Sequence, residues 1–573
     1  MVNLKINNID VQVEENTTIL NAAKKNNIDI TTLCNYPDLD IKSECRMCIV
    51  EVKGQQKLPT ACSTYVREGM EVKTMSKRVI DSRKTILELL LANHEANCTA
   101  CSKNLNCELQ DLANKLGVDD KRFPPVLEIK EVDDNNPVLI RNINKCIKCG
   151  RCVEVCRDVQ SVSVLDIMGR SNQSEITPAF GKYLSDEFCT YCGQCANVCP
   201  VGAIVEKDET QLVWNAISDP DIHVIVQTAP AVRVSLGEEL GMAPGSIVTE
   251  KVVSALRYLG FDKVYDTDFT ADLTIIEEGN ELIHRVTNGG VLPMMTSCCP
   301  GWVSFAEQNF PEILDHVSSC KSPQQMFGAL AKSYYAEKMN IDLDKLFVVS
   351  IMPCTAKKYE ALRPEMSVDG NHQDVDVVLT TRELGKMIRE MGINFNNIDK
   401  TPFDKPFGIT TGAAAIFGAT GGVMEAALRT VYEVVNKEEL KEINFKDVRG
   451  MEGIKEAEVV LGGNKVKVAV AHTLENARKV CEQIVDGTSP YAFIEIMCCP
   501  GGCIGGGGQP YGTTNEVREK RIKAIYDLDG QMKIRKSHEN PTIQALYDDY
   551  LEKPLGHKSH ELLHTKYKPR SKK

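Results

Sequence analysis

The segment Thr296-Ser297-Cys298-Cys299-Pro300-Gly301-Trp302 places two adjacent cysteines directly after the short apolar run Val291–Met295. Cys354 and Cys499 each follow an apolar run of the same kind, Val348–Ile351 and Phe493–Ile496. Buried runs that alternate with helical patterns predict an α/β fold with mainly parallel sheets. Because functional groups in such sheets gather at the carboxyl ends of the strands, we expect these cysteines to form one site.

The apolar runs that we expect to form buried strands are His223–Gln227, Leu346–Ile351, Val466–Ala471 and Phe493–Ile496. After the last of them comes a glycine-rich stretch around Cys503, Gly501 to Gly508. Glycines let the backbone approach a bulky cofactor, and successive free N–H groups favour anionic ligands. A plain flexible loop is the alternative interpretation.

The chain has 573 residues, a net charge of −12 and 23 cysteines. This length predicts several domains, and the negative charge argues against a general nucleic-acid binder. The sequence has neither a signal-peptide core at Met1–Ile6 nor a long uncharged apolar stretch, so we expect a cytoplasmic protein with no membrane span. Cysteines in such a protein indicate metal or redox chemistry rather than disulfides.

Residues 1–78 begin with two alternating segments, Val2–Ile6 and Val11–Val13, which predict a hairpin around Asn7-Asn8. Thr17 or Thr18 is expected to cap the helix that follows. The cysteine pattern is Cys34-x10-Cys45-x2-Cys48-x13-Cys62. This spacing resembles that of plant-type 2Fe–2S ferredoxins, which have a β-grasp fold, although the first loop is longer here. A zinc site is the alternative.

Residues 79–125 start with a predicted helix, Val79–Leu91, and continue into His94-x3-Cys98-x2-Cys101-x5-Cys107. One histidine and three cysteines in fourteen residues form a compact ligand set, which also suits zinc. The pattern resembles the His-ligated 4Fe–4S cluster of hydrogenases and respiratory dehydrogenase subunits. A neutral imidazole in place of a thiolate is expected to raise the reduction potential.

Residues 126–209 contain a duplicated motif of the bacterial two-cluster ferredoxin type, in which the fourth cysteine of each run binds the other cluster. One 4Fe–4S cluster is therefore assigned to Cys146, Cys149, Cys152 and Cys199. The second is assigned to Cys189, Cys192, Cys195 and Cys156.

The large remaining segment, residues 210–573, resembles the catalytic domain of iron–iron (FeFe) hydrogenases in its motifs around Cys299, Cys354 and Cys503. The whole chain is similar to the monomeric clostridial type with four accessory clusters. The resemblance implies that the catalytic cofactor is an H-cluster, a 4Fe–4S cubane joined to a diiron unit with CO, cyanide and azadithiolate. It assigns the cubane to Cys299, Cys354, Cys499 and Cys503, with Cys503 bridging to the diiron unit.

The same resemblance assigns residues around the cofactor. Lys357 would hydrogen-bond a cyanide, Met352 and Met497 would pack beside the irons, and Phe417, Ala229 and Pro230 would also line the site. A spare thiol beside Cys299 can carry a proton, and the resemblance extends a proton relay from it. The members of the relay are Cys298, Glu278, Ser318, Glu281 and Arg285.

Three departures from the family pattern are Ala231, Cys320 and Cys498. Ala231 stands where Ser or Cys is common, which implies one hydrogen bond fewer to the diiron unit. Cys320 and Cys498 stand where a small non-thiol residue is usual. As thiols they would be passive core residues, perturbations of the site or positions open to oxidation.

The predicted architecture is multidomain, α+β and α/β: a plant-type ferredoxin domain, a small His/Cys cluster domain, a two-cluster bacterial ferredoxin domain and a large α/β catalytic domain. The predicted reaction is the reversible reduction of protons to hydrogen. A respiratory dehydrogenase subunit, a hydrogen sensor and an iron–sulfur assembly factor are the alternatives. The resemblance implies a monomer, ferredoxin or flavodoxin as electron partner, and maturation proteins that deliver the diiron unit.

Overall fold

The computed structural model describes residues 1–118, 122–126 and 128–570, and the chain divides into two compact units. Unit 1 comprises Met1–Asp158, Ser163–Glu187 and Val198–Val205. Unit 2 comprises Val159–Val162, Phe188–Asn197 and Glu206–Lys573. The predicted limits 1–78, 79–125, 126–209 and 210–573 stay predictions, and residues 119–121, 127 and 571–573 within them lie outside the described residues.

The strands are β1 Val2–Ile6, β2 Ile9–Val13, β3 Glu51–Val52, β4 Met70–Lys73, β5 Leu139–Arg141, β6 Asp166–Met168, β7 Glu175–Thr177, β8 Ile204–Glu206, β9 His223–Thr228, β10 Lys263–Asp266, β11 Met294–Met295, β12 Leu346–Met352, β13 Val377–Thr380, β14 Ile454–Leu461, β15 Asn464–His472 and β16 Phe493–Met497.

The α-helices are α1 Ile19–Lys25, α2 Lys77–Ala92, α3 Glu108–Leu116, α4 Arg151–Glu154, α5 Gln194–Val198, α6 Thr210–Ser218, α7 Leu236–Glu239, α8 Thr249–Leu259, α9 Thr267–Asn288, α10 Pro300–Asn309, α11 Pro323–Leu330, α12 Ala336–Met339, α13 Ala356–Ala361, α14 Thr381–Glu390, α15 Gly412–Ala415, α16 Gly422–Asn436, α17 Leu474–Val485, α18 Asn515–Gln531, α19 Pro541–Leu546 and α20 His557–Leu563.

In unit 1 the predicted N-terminal hairpin is confirmed. β1 pairs antiparallel with β2, and Asn7 and Asn8 between them take φ values of 51° and 66°. Two such positive values match the turn that suits the twist of paired strands. The Thr18 hydroxyl accepts a hydrogen bond of 3.2 Å from the Asn21 N–H and so caps α1. The sheet is completed in the order β2-β1-β4-β3.

The second predicted helix of unit 1 is also confirmed, with α2 slightly longer than the predicted Val79–Leu91. Leu87 of α2 packs with Leu109 and Leu112 of α3 in a small core that also contains Cys107 and Cys199. The cysteines of unit 1 therefore lie between elements that apolar contacts fix in place.

Unit 2 contains two four-stranded sheets. The first has the order β10-β9-β12-β13 and is parallel throughout. The second has the order β11-β16-β15-β14, in which the β14–β15 hairpin is the antiparallel part. The prediction of an α/β fold with mainly parallel sheets is confirmed for this unit.

The other four strands predicted in unit 2 are confirmed, whereas Val291–Met295 is a strand only at β11. Pro293 cannot donate to a neighbouring strand, and Val291 and Leu292 are 43% and 37% exposed. The prediction from apolar composition therefore began this strand too early, at Val291 instead of Met294. Its last two residues still pair with β16 and lead directly to Cys298.

Long helices cover the sheets of unit 2. Among them is α9, whose residues are buried along most of its first four turns. Among the described residues, no helix is both long and apolar enough to cross a membrane.

Candidate active site

A cavity lies in unit 2 where four strands end. β9, β11, β12 and β16 each lead into residues that line it, as expected for the carboxyl ends of parallel strands. The predicted site residues that line the cavity are Ala229, Pro230, Cys298, Cys299, Met352, Cys354, Lys357, Phe417, Met497, Cys499 and Cys503.

The donor set of this cavity suits an iron–sulfur cubane. Four thiols, those of Cys299, Cys354, Cys499 and Cys503, face a lining that is otherwise mostly apolar. Four cysteine sulfurs are the ligand set that a 4Fe–4S cluster requires. The Cys498 thiol lowers the pKa of Cys299, whereas burial raises it. The effect of Cys498 is the larger of the two, and the pKa of Cys299 is lowered to about 7. The residues present therefore fit the cofactor that the resemblance implies.

Lys357 brings a buried ammonium group into this lining. Its Nζ donates to the Cys298 carbonyl at 3.0 Å and to the Glu360 carboxylate at 2.9 Å. Burial alone would lower the pKa of Lys357, but the Glu360 carboxylate keeps it above its ordinary value. Glu360 is held in turn by Ser322 and Gln324. Lys357 is therefore a charged donor fixed in place at the wall of the cavity.

The glycine-rich stretch around Cys503 is a packed loop, so the alternative of a plain flexible loop is wrong. A Cβ atom at Gly502 would lie 2.6 Å from the Thr420 nitrogen, and one at Gly506 would lie 2.1 Å from the Pro353 carbonyl. Backbone approaches of this kind exclude any side chain. The loop can therefore lie directly against the segment that precedes Cys354.

Two buried arginines hold the glycine-rich loop, and sequence analysis missed both. Arg382 donates to the Gly507 carbonyl at 2.7 Å and pairs with the Glu206 carboxylate at 2.7 Å. Arg521 donates to the Ile504 carbonyl at 2.6 Å and pairs with Glu238 at 2.6 Å. No spacing in the sequence relates these partners, because they come together only in the folded chain.

Cys498 lies between two sets of predicted iron ligands. Its thiol is within hydrogen-bonding reach of Cys192, Cys299 and Cys499, and its backbone N–H donates to the Cys299 sulfur at 3.3 Å. The segment that carries Cys192 is also bound to the cavity walls, since Gln194 donates to the Gly505 carbonyl at 2.9 Å. An accessory-cluster cysteine is thus adjacent to a cubane cysteine. Of the other two departures from the family pattern, Ala231 lies in the core cluster with Phe417, and Cys320 is fully buried.

The residues of the predicted proton relay lie together. Glu278, Glu281 and Arg285 are on α9, where Arg285 pairs with Glu281 at 2.6 Å. The Ser318 hydroxyl donates to Glu281 at 2.9 Å. Burial raises the pKa of the Cys298 thiol well above its usual value, and the nearby Glu278 carboxyl adds to this.

Glu278 is the unusual member of this set. It is 2% exposed, and among the described residues no hydrogen bond of good geometry reaches its carboxyl oxygens, although the Ser318 hydroxyl and the Ser297 N–H lie close enough to oppose the rise in its pKa. Burial, reinforced by the charge of Glu281, raises the pKa of Glu278 to about 8. The neutral acid is therefore the form expected near pH 7, and a neutral buried carboxyl group can donate its proton and, once ionised, take one back.

In unit 1 the structure brings together several of the predicted cluster ligands. Cys146, Cys149, Cys152 and Cys199 line a single small cavity. The sulfurs of Cys48 and Cys62 are 3.3 Å apart, and Cys45 lies close enough to Cys34 to lower its pKa to about 5. Cys156 belongs to unit 1, whereas Cys189, Cys192 and Cys195 belong to unit 2, so that ligand set stays a prediction.

His94, the predicted histidine ligand, is oriented by the backbone. Its Nδ1 lies 2.9 Å from the Lys145 carbonyl. Nδ1 must carry the proton to make this hydrogen bond, which makes Nε2 the nitrogen suited to bind metal. The sulfur of Cys101 lies close to the backbone of Gly202. A Cβ atom added at this glycine would be 2.6 Å from that sulfur.

Comparison with known families accounts for nearly all of the chain. Residues 222–507 match the iron only hydrogenase large subunit, C-terminal domain, and residues 515–570 match the iron hydrogenase small subunit. Residues 1–77 match a 2Fe-2S iron-sulfur cluster binding domain. Residues 83–122 match the NADH-ubiquinone oxidoreductase-G iron-sulfur binding region, and residues 136–205 match the ferredoxin-like domain of NADH-quinone oxidoreductase subunit 3.

Individual relatives agree with these matches. The NADP-reducing hydrogenase subunit HndD of Solidesulfovibrio fructosivorans is 50% identical over 99% of both chains. Iron hydrogenase 1 of Clostridium pasteurianum is 43% identical and covers 99% of this chain and 100% of its own. A structure of [FeFe]-hydrogenase HydA1 from Chlamydomonas reinhardtii covers 63% of this chain and 99% of its own, with 44% identity and a TM-score of 0.58.

Identity of this extent over the full length, together with the cysteine-lined cavity, places the chain in the iron hydrogenase family. It is an FeFe hydrogenase with accessory iron–sulfur domains, and it interconverts protons and molecular hydrogen at an H-cluster, with electrons carried by iron–sulfur clusters. The expected family, reaction and multidomain architecture are thereby confirmed. A respiratory dehydrogenase subunit does not account for residues 222–507.

The pKa of Glu278 can be tested by infrared spectroscopy. Because burial raises it to about 8, the C=O stretch of a protonated carboxyl should persist at pH 7 and disappear as the pH rises through about 8. The Glu278→Gln variant should lack this band. A carboxyl that titrates near the ordinary value of about 4.3 would contradict the assignment.

The Arg382→Met variant should lose stability, because it leaves the buried Glu206 carboxylate without its partner. Breaking such a pair costs about 3–5 kcal/mol. Lys386→Met is the control, since Lys386 pairs with Asp208 at the surface, where side chains are 42% and 43% exposed and such pairs contribute about 0–1 kcal/mol. Thermal unfolding of the matured proteins should show a much larger decrease for Arg382→Met, and equal decreases would contradict the role of this pair.

Proposed function

We propose that Cys299, Cys354, Cys499 and Cys503 bind the cubane of the H-cluster and that the Cys503 thiolate also binds its diiron unit. The convergence of all four thiols on one mostly apolar cavity is the observation that supports this. When bound, the diiron unit supplies the redox-active metal at which protons and electrons combine. Lys357, held by Glu360, would present its ammonium to the anionic ligands of this unit, and Met352 and Met497 would shield it from water.

The other lining residues define the shape of this pocket. Phe417, Ala229 and Pro230 provide apolar walls. A dry pocket strengthens the electrostatic effect of Lys357 on anything bound there. The chain thus contributes position, charge and exclusion of water, while the cofactor contributes the metal chemistry.

The Cys503→Ser variant tests the bridge. Serine is a poorer ligand for soft iron centres than a thiolate, so diiron incorporation should be lost or greatly reduced while the accessory clusters remain. Infrared CO and cyanide bands and iron counting would measure both. Cys481→Ala is the control, since Cys481 is a fully buried cysteine that is not one of the proposed ligands. Native bands and turnover in Cys503→Ser would contradict the assignment.

We also propose that protons reach the site through Cys298, Glu278, Ser318 and Glu281, with Arg285 beside the last of these. The Cys298 thiol faces the cavity, and its raised pKa keeps it protonated. Glu278 is neutral near pH 7 by the same physical cause, burial. A proton can therefore be held at the Cys298 sulfur without burying a net charge beside the cofactor.

The Cys298→Ser variant should keep its metal content but turn over about 10²-fold more slowly, the effect typical of a lost proton-transfer group. Hydrogen evolution and the infrared bands of the same samples would measure the two properties. Turnover near the wild-type rate would contradict the relay.

For the N-terminal part we propose one 2Fe–2S cluster and three 4Fe–4S clusters. The first would be held by a β-grasp domain of plant-type ferredoxin kind in residues 1–78, and the second by residues 79–125 with His94 as a ligand. Residues 126–209 would hold the other two. The Cys192–Cys498–Cys299 contact supports electron transfer from the last of these to the cubane.

Two electron partners are compatible with this arrangement. We propose a ferredoxin or flavodoxin, with the protein acting as a cytoplasmic monomer that maturation proteins load with the diiron unit. The second candidate is a nicotinamide-binding partner subunit, which is supported by the 50% identity to a subunit of an NADP-reducing hydrogenase.

Hydrogen evolution by the purified chain distinguishes the two candidates. Activity with reduced ferredoxin but not with NADPH would support the first. Dependence of NADPH-linked activity on an added protein fraction, together with the molar mass of the native species, would support the second.

A further inference from the structure

Arg285, the outermost residue of the proposed relay, is poorly suited to release protons. Its guanidinium donates to Glu281 at 2.6 Å and to the carbonyls of Asp315 and Val317 at 2.9 and 3.0 Å. An arginine side chain stays protonated in proteins, since its pKa exceeds 12. Its bonds therefore fix the Glu281 carboxylate without offering a site that can lose and regain a proton.

A second hydrogen-bonded path leaves Glu281 in another direction. The Ser319 hydroxyl lies 3.1 Å from Glu281 Oε2 and 2.8 Å from His564 Nδ1. The other imidazole nitrogen, Nε2, lies 3.1 Å from the Glu277 carboxylate. These contacts form an unbroken series from the relay to an imidazole, which is the side chain best able to exchange protons near neutral pH.

Glu277 fixes the orientation of this imidazole. It is fully buried, and it accepts hydrogen bonds from the Tyr547 hydroxyl at 2.5 Å and the Leu555 N–H at 2.9 Å. Burial would raise the pKa of Glu277, but its hydrogen bonds from His564 and Tyr547 outweigh this and lower it. Glu277 is then a carboxylate that accepts the Nε2–H, so Nδ1 is the nitrogen that faces Ser319.

The outer end of the path lies beside an exposed imidazole, that of His560. His564 follows α20 and is 8% exposed. His560, one turn earlier and exposed, has its ring centre 4.3 Å from that of His564. The titratable groups around His564 are Glu277, Glu281, Tyr547, His560 and the Cys320 thiol, whose sulfur lies 4.0 Å from Nδ1.

We propose that protons enter and leave the relay through Ser319 and His564, and that Arg285 is a positioning residue for Glu281. This inference rests on the relay proposed above. For an inward step the imidazolium loses its Nδ1 proton to the Ser319 oxygen, while the hydroxyl proton of Ser319 moves to Glu281. The outward step reverses both transfers, and solvent restores or removes the proton at His564.

The test uses the full-length, matured protein and its His564→Gln variant, which keeps hydrogen-bonding groups but cannot titrate. Hydrogen evolution should fall by about 10²-fold while the CO and cyanide bands stay unchanged. Hydrogen–deuterium exchange at the protonated Glu278 carboxyl should also be slower in His564→Gln than in the wild type. The infrared C=O band of this carboxyl, recorded after transfer to D₂O, would measure the exchange. Added imidazole should restore part of the turnover of His564→Ala.

His538→Gln is the matched control, because His538 makes a similar bond to a carboxylate, 2.9 Å to Glu433, away from the relay. It should leave turnover and exchange unchanged. Wild-type turnover and carboxyl exchange in His564→Gln would overturn the inference. If His564→Gln does not load the cofactor, Ser319→Ala interrupts the same path, and unchanged exchange in that variant overturns the inference.

The Cys298→Ser variant separates this inference from the relay itself. If both Cys298→Ser and His564→Gln turn over at the wild-type rate, the relay is wrong and the exit falls with it. If Cys298→Ser is slow and His564→Gln is not, the relay stands and only the exit through His564 is overturned.

Discussion

The site depends on direct packing of backbone against backbone at the glycine-rich loop. At Gly506 the space for a Cβ is taken by the Pro353 carbonyl, so the loop lies against the segment that leads to Cys354. This approach brings Cys503 into the same cavity as the cysteines that follow β11, β12 and β16. Any side chain at these glycines would separate the cysteines, because the atoms that it would meet belong to the backbone and cannot rotate away.

Such a loop leaves carbonyl groups in the interior, and these need donors. Arg382 and Arg521 supply them, and each arginine is neutralised by a carboxylate of its own. Lys357 is balanced by Glu360 in the same way. Charges around the cavity are therefore paired, and this lets them stay buried. Glu278 differs from them because no cation among the described residues pairs with it, so it avoids the cost of burial by remaining protonated.

Electrons and protons reach the cavity by different kinds of contact. On the electron side, the segment 188–197 belongs to the same compact unit as the cavity, and sulfur atoms approach one another at Cys498. On the proton side, α9 presents a carboxyl group once per turn, at Glu278 and Glu281. Short polar side chains such as Ser318 and Ser319 then bridge between titratable groups. Both paths need fixed distances, which the buried helices and loops of unit 2 provide.

The sequence alone predicted the N-terminal hairpin, the long helix α2, the principal strands of unit 2 and the family. These features depend on local patterns: alternation, apolar runs, and cysteines at short spacings such as Cys146-x2-Cys149. It also indicated that Cys299, Cys354 and Cys499 would meet, because the carboxyl ends of parallel strands share one edge of a sheet. The strand predicted at Val291–Met295 was too long, because an apolar pattern alone does not show that pairing begins only after Pro293.

Only the tertiary structure brought Arg382 to Glu206, Cys498 to Cys192, and His564 to Ser319 and Glu277. The partners in these contacts are separated by between 176 and 306 residues. No periodicity in one sequence extends over such separations. The physical reason is that a buried charge or imidazole is stabilised by whichever partner the packed core places beside it, and that placement is a property of the whole fold.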